Sequence, residues 1–207
     1  MSRIERIGPH TLYLGDSAEI LQSIAPVDAC VMDPPYGIGF AAQPTDYQRK
    51  NGMKPADWDN APAPDWLMGL MREKAGTLIV WGGNYYSLPP TRGWLAWRKP
   101  DAPPSMAHLE LAWTSYDMNA KMLDHSIAAT NAERAGHPTQ KPVAVMAPLI
   151  EYSCPPGGTV LDPFIGSGTT AQAALQLGMS CIGIEIDPDF AEMARNPVAP
   201  DAPLFAL

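Results

Sequence analysis

The sequence predicts an α/β fold: a mainly parallel sheet of seven strands with helices on both faces. Three observations carry that reading. Apolar, strand-like runs alternate with amphipathic, helix-like stretches along most of the 207 residues, the order that parallel strands and crossover helices require. The runs VDACVMD (27–33) and GGTVLD (157–162) read as buried strands that stop at turn residues. Hydrophobic residues make up 46% of the chain and charged residues 17%, enough apolar surface for a core and too much for a disordered chain.

The elements follow in order. HTLYLG (10–15) is a short strand. Asp16 and Ser17 cap a helix, SAEILQSI, with Ile20, Leu21 and Ile24 at helical spacing. The strand 27–33 ends at Pro34-Pro35. Residues 37–62 are polar, rich in Gly, Pro, Gln and Asn, and too long for a simple connection, which reads as a lid. DWLMGLMREKA (65–75) is an amphipathic helix, and GTLIVWGG (76–83) a buried strand. GWLAWRK (93–99) and HLELAWT (108–114) are two further strands with proline-rich turn chemistry between them. Residues 115–137 are polar and weakly patterned. KPVAVMAPLIEYS (141–153) is a helix. The strand at 158–162 and its glycine loop lead to the helix TTAQAALQLG (169–178), closed by glycine. MSCIGIEID (179–187) is a strand, PDFAEMAR (188–195) a last helix starting at proline, and the rest a tail. The prolines, 23 in all, cluster at 34–35, 62–64, 89–90, 103–104 and 155–156, where they punctuate loops.

Composition excludes several classes. No apolar run is long enough to span a bilayer, and MSRIERIGPH lacks the apolar stretch of a secretory signal. Cys30, Cys154 and Cys181 have neither the number nor the spacing of a zinc site or disulfide framework, so a reducing, cytoplasmic setting without metal is expected. The net charge is −8, but residues 1–141 hold 13 bases against 15 acids, while residues 142–207 hold one base and seven acids. A nucleic-acid partner must therefore meet residues 1–141.

Two motifs carry chemistry, and both lie beyond the carboxyl ends of strands, where open α/β sheets bind ligands. In VLDPFIGSGTTAQAAL, Gly166 and Gly168 let the backbone turn sharply and approach a ligand, and the helix start presents free amides. Glu185, 19 residues after Gly166 and at the end of the next strand, suits a ribose diol. The same pattern also fits a dinucleotide fingerprint. The second motif is Asp33-Pro34-Pro35-Tyr36. Its two prolines fix φ and remove two donors, leaving the Pro34 carbonyl as a rigid acceptor beside Asp33, with the aromatic face of Tyr36 adjacent. Two acceptors and a stacking face suit a planar group bearing NH2. A nucleobase amine has that description, reached by flipping the base out of the duplex.

Together these motifs resemble the S-adenosylmethionine-dependent DNA amino-methyltransferases, most closely the beta-group, phage-type adenine methylases, in which D-P-P-Y precedes F-x-G-x-G. Here Asp33–Tyr36 precedes Phe164–Gly168, and the resemblance covers nearly the whole chain. It implies a Rossmann-like methyltransferase fold in circularly permuted order, with the last strand (179–185) pairing beside the first (10–15). It implies Asp33, Pro34, Pro35 and Tyr36 as the catalytic turn. As cofactor contacts it implies Asp16, Asp33, Thr139, Gln140, Lys141, Asp162, Pro163, Phe164, Gly166, Ser167, Gly168, Thr169, Glu185 and Ile186. The expected partner is double-stranded DNA and the expected target the N6 amine of adenine. Asp33 leans that way, because members acting on the N4 amine of cytosine more often resemble Ser-Pro-Pro-Tyr. WRKP stands where the family more often has Trp-Asp-Lys, leaving Arg98 without a role.

The chain reads as one catalytic domain, 1–207, with the lid at 37–62 and a short target-recognition segment at 115–137. So short a segment suggests a homodimer on a short symmetric site. Arg49, Lys50 and Lys54 in the lid, and Asn119, Lys121, His125, Asn131 and Arg134 in the recognition segment, are candidates for DNA. Lys141 suits the cofactor carboxylate, a DNA phosphate or a solvated helix terminus. The six tryptophans read as core or hairpin residues. Four other functions compete. A nicotinamide oxidoreductase leaves Asp33–Tyr36 unexplained. Methylation of a protein glutamine goes with the unpermuted motif order. C5-cytosine methylation needs a thiolate, for which Cys154 has no partner in view. A non-catalytic DNA-binding module would bind no cofactor.

Overall fold

One nine-stranded sheet organises the residues that the computed structural model describes, 3–39, 42, 58–133 and 140–195. Its strands are β1 (Arg3–Ile7), β2 (His10–Leu14), β3 (Val27–Met32), β4 (Ala75–Trp81), β5 (Trp94–Arg98), β6 (Leu109–Thr114), β7 (Lys121–Asp124), β8 (Thr159–Asp162) and β9 (Ser180–Glu185). The helices are α1 (Ser17–Ile20), α2 (Asp65–Lys74), α3 (Ile127–Glu133), α4 (Val143–Ser153), α5 (Thr169–Gln176) and α6 (Pro188–Arg195). The spatial order is β1-β2-β9-β8-β3-β4-β6-β5-β7. Strands β2, β9, β8, β3 and β4 run parallel, while β6 runs antiparallel to β4 and to β5.

The permuted order is confirmed by one register: Leu14 of β2 lies opposite Glu185 of β9, and the Gly15 amide donates to the Glu185 carbonyl at 2.8 Å. Parallel alignment puts the carboxyl ends of β2, β9, β8, β3 and β4 on one edge. Asp16, Glu185, Asp162, Asp33 and Gly82 thus share that edge, although they span most of the sequence.

Alternation along the strands explains the two layers of helix. In β3, Ala29 and Val31 point into one apolar cluster and Cys30 and Met32 into the other. In β4, Ile79 and Trp81 separate from Leu78 and Val80 in the same way, as the two-residue period of a strand dictates. The first cluster is closed by α4 (Val145, Met146, Leu149, Ile150) and α5 (Ala171, Ala173, Ala174). The second is closed by α2 (Leu67, Met68, Met71) and the first helical segment (Ile20, Leu21, Ile24).

The count of nine strands corrects the expected seven. The two extra strands lie at the sheet edges and have no apolar run. RIERI of β1 buries only Ile7 and forms a hairpin with β2. KMLD of β7 falls within the segment expected to be weakly patterned; it pairs parallel to β5, and the Arg98 guanidinium grips Asp124 beside it, Nε to Oδ1 at 2.8 Å. Charged, short strands are what sheet edges favour. Arg98 thereby gains a structural role. The helix expected over SAEILQSI is shorter, with Leu21–Ser23 tightening into a 3₁₀ turn.

Candidate active site

The turn after β3 is held rigidly by the return of the long loop. Asp59, 2% exposed, accepts the amides of Tyr36 and Gly37 on one oxygen at 2.8 and 3.0 Å. The Pro35 carbonyl accepts the Ala63 amide at 3.0 Å and the Tyr86 hydroxyl. The carbonyl of Pro34 accepts no hydrogen bond from any described residue. It remains the fixed acceptor that two consecutive prolines were expected to create.

Asp33 lies beside it. One carboxylate oxygen accepts the Tyr36 hydroxyl at 2.5 Å, and the other meets the Lys141 ammonium at 2.6 Å. Burial, then the Asp33 charge, push the Tyr36 phenol well above its ordinary pKa, so it stays a donor. Its ring stacks on Tyr85, centroids 5.0 Å apart and planes 13° from parallel. One face of Tyr36 is therefore covered by a tyrosine.

Lys141 is 6% exposed and also touches Glu110 at 3.3 Å. The solvated-terminus reading of this lysine is corrected: Pro142 starts α4 as its N-cap, and the residue before it turns inward. Nor does the ammonium stand free for a cofactor carboxylate or a phosphate, because two acids hold it. Burial opposes the charge, but Asp33 and Glu110 hold its pKa above the usual lysine value.

On the other side of the turn, the glycine loop joins β8 to α5. Gly166 has φ +51° and Gly168 φ +85°, a left-handed backbone that glycine adopts without strain. Gly168 also serves packing: a Cβ there would lie 2.5 Å from Cα of Ala194 in α6. The first turn of α5 has no side-chain cap, so its leading amides stay available. Asp162, 3% exposed, accepts the Phe164 amide at 3.0 Å and the Thr170 hydroxyl at 2.5 Å. Burial raises its pKa to about 7, with the Asp33 and Glu185 charges adding to the rise. It braces the loop. Pro163 accepts the Ser17 hydroxyl at 2.5 Å through its carbonyl, and Ser167 and Thr169 are buried.

Glu185 accepts the amides of Gly166, Ile186 and Asp187 at 2.9, 2.9 and 3.0 Å. Burial nevertheless raises its pKa. A cleft of about 250 Å³ opens beside it, lined by Asp16, Pro35, Pro62, Trp66, Phe164, Glu185 and Ile186. Ile186 is 65% exposed and Trp66 53% exposed, apolar surfaces that suit a flat heterocycle. Asp16 caps α1 through the Ala18 amide at 2.7 Å.

The remaining expected residues divide. Gln140 is buried. Asn119, Lys121 and Asn131 are exposed and His125 half-buried. Arg49, Lys50, Lys54, Arg134 and Thr139 lie outside the described residues. Sequence reasoning missed Asp59, Glu110, Tyr85, Tyr86 and the cleft-lining Trp66. Only the tyrosines had a signal, lying just past the glycines that end β4. Asp59 and Glu110 carry none. The cysteines are all buried, and burial pushes the Cys154 thiol up to about 11, which removes the thiolate that C5-cytosine chemistry needs.

Sheet order, permuted connectivity and an acceptor turn beside a carboxylate-flanked glycine loop define a Rossmann-like methyltransferase fold. The chain belongs to the N6_N4_Mtase family of DNA methylases, whose profile matches residues 80–196. It is similar to the type II methyltransferase M.ScaI of Streptomyces caespitosus, 43% identical over 65 residues, 31% of this chain; the match spans 21% of that relative. Solved folds resemble it at low identity, two of them as follows. M1.HpyAVI in complex with SAM gives a TM-score of 0.59 at 20% identity, covering 90% of this chain and 98% of that one. The PvuII DNA methyltransferase, described as cytosine-N4-specific, gives 0.62 at 16% identity, covering 94% and 90%. Among the described residues no helix is long and apolar enough to cross a membrane.

Proposed function

We propose that this chain is an S-adenosylmethionine-dependent DNA methyltransferase acting on an exocyclic base amine, the N6 amine of adenine. The observation that carries the reading is the paired acceptor at the turn, Asp33 and the unengaged Pro34 carbonyl, on the same sheet edge as the Glu185 cleft.

The residues fit the cofactor. Glu185 lines the cleft as an acceptor for a ribose hydroxyl, Ile186, Phe164 and Trp66 offer apolar contact to an adenine ring, and the uncapped start of α5 offers amides to a carboxylate. When bound, the cofactor supplies an electrophilic methyl group on a sulfonium. The chain's own work is positional. Asp33 and the Pro34 carbonyl accept the two amine hydrogens and aim the nitrogen lone pair. Transfer from the bound sulfonium would place the methyl carbon on the amine nitrogen and leave the electron pair of the broken carbon–sulfur bond on sulfur, and the nitrogen would then release one proton to solvent. The positive charge that develops on nitrogen lies next to Asp33. The base reaches the turn by flipping, and Asn119, Lys121 and the lid lysines supply contacts to DNA.

A second reading, transfer to the N4 amine of cytosine, is favoured by the likeness to the PvuII enzyme. Mass spectrometry of nucleosides from treated DNA tests both. N6-methyladenine is expected; N4-methylcytosine keeps the mechanism and replaces the target, and C5-methylcytosine overturns both. Asp33→Ala should abolish transfer while leaving cofactor binding nearly intact, and near-normal turnover in that variant would remove the turn from the chemistry.

A further inference from the structure

Four charged side chains form an alternating chain that ends at the catalytic turn: Lys99, Glu110, Lys141 and Asp33. Lys99, just past β5, donates to one oxygen of Glu110 on β6 and sits 4.4 Å from the centre of the Trp97 ring. The other Glu110 oxygen meets Lys141 at 3.3 Å, and Lys141 meets Asp33 at 2.6 Å. The Lys141 ammonium also lies 5.3 Å from the Trp81 ring centre and 6.0 Å from that of Tyr36. The side chains of Lys99 and Lys141 are 9% and 6% exposed and those of Glu110 and Asp33 27% and 23%, so both cations are buried and water reaches mainly the carboxylates. Two cations and two anions make it neutral.

We propose that Glu110 is a positioning residue of the transfer site, anchoring Lys141 so that Asp33 keeps a lone pair and its negative field for the target amine; this rests on the reading of function above. With Glu110 neutralised, Lys141 has Asp33 as its one anionic partner among the described residues. Its ammonium then competes with the amine hydrogens for the carboxylate, and the group carries a surplus positive charge. That surplus faces the nitrogen on which positive charge develops, so it raises the barrier while leaving cofactor binding alone. The other titratable groups facing Asp33 are the Tyr36 and Tyr86 phenols and the Asp162 carboxyl, all of which stay in place in such a variant.

The test compares wild type, Glu110→Gln and Glu110→Asp, measuring kcat and cofactor KM against pH, with the Lys141 titration followed by NMR of 13Cε-labelled lysine. Glu110→Gln should lower kcat about tenfold or more with cofactor KM nearly unchanged. The Lys141 titration should move to lower pH because one stabilising anion is gone. Glu110→Asp should recover much of both. In a Lys141→Met background, Glu110→Gln should add little further loss. An active wild type whose Glu110→Gln variant keeps kcat overturns the positioning role alone. A wild type that transfers no methyl group overturns the functional reading and this role with it, even where the Lys141 titration still moves.

Discussion

A Cβ placed on Gly82 would stand 2.3 Å from Cε1 of Tyr36, because the tyrosine ring packs directly on the backbone at the end of β4. Gly82 also has φ +63°. The residue after the strand thus fixes how deep Tyr36 sits.

Gly82→Ala therefore combines backbone strain with displacement of Tyr36. A stability loss of about 1–3 kcal/mol is expected, together with a drop of roughly tenfold or more in methyl transfer. Calorimetry should show cofactor affinity close to that of wild type. Full activity in a correctly folded variant would show that the position of Tyr36 does not matter to the reaction.

Asp59→Ala removes the acceptor shared by the Tyr36 and Gly37 amides. Two part-buried donors lose their partner, at a cost of up to about 1–3 kcal/mol each where water does not replace it. The turn should loosen, and kcat should fall with little change in cofactor KM. Hydrogen exchange at the Tyr36 and Gly37 amides reads the loosening directly; unchanged protection would assign their rigidity to the prolines.

Gly168 and Glu185 flank the same loop, but their variants should fail differently. Gly168→Val drives side-chain atoms into the Ala194 backbone, so thermal stability falls along with cofactor binding. Glu185→Ala leaves the Gly166, Ile186 and Asp187 amides without their acceptor, so it loses stability by a different route, and it should lose about 2–4 kcal/mol of cofactor affinity, as expected for hydrogen bonds to a charged acceptor. Unchanged cofactor affinity in Glu185→Ala would end its proposed ribose role.

Asp162 gives a pH signature. Its folded pKa is raised to about 7 by burial, against an ordinary aspartate value of about 4. The folded protein thus holds this proton more tightly than the unfolded chain. That stabilisation is complete below about pH 4 and is lost as pH rises towards about pH 7. Asp162→Asn keeps an acceptor for the Phe164 amide and removes the titration. Its melting temperature should fall less steeply across that window than wild type, and parallel profiles would show that Asp162 does not control the slope.

The sequence by itself determined the features that depend on local chemistry. Period-two apolar runs produced the central strands, and the Asp33–Tyr36 prolines produced a fixed acceptor turn; that β9 joins β2 was implied by the family resemblance the two motifs carry. Tertiary structure decided everything that depends on register and packing across long separations. The partner of Asp33 is 108 residues away, Asp59 reaches the turn from the far end of a long loop, and Glu110 reaches it from another strand. Edge strands β1 and β7 have no burial pattern to betray them. A lone carboxylate or lysine looks the same in a sequence whether it meets water or a buried counter-ion; only the fold brings the partner that makes burial tolerable.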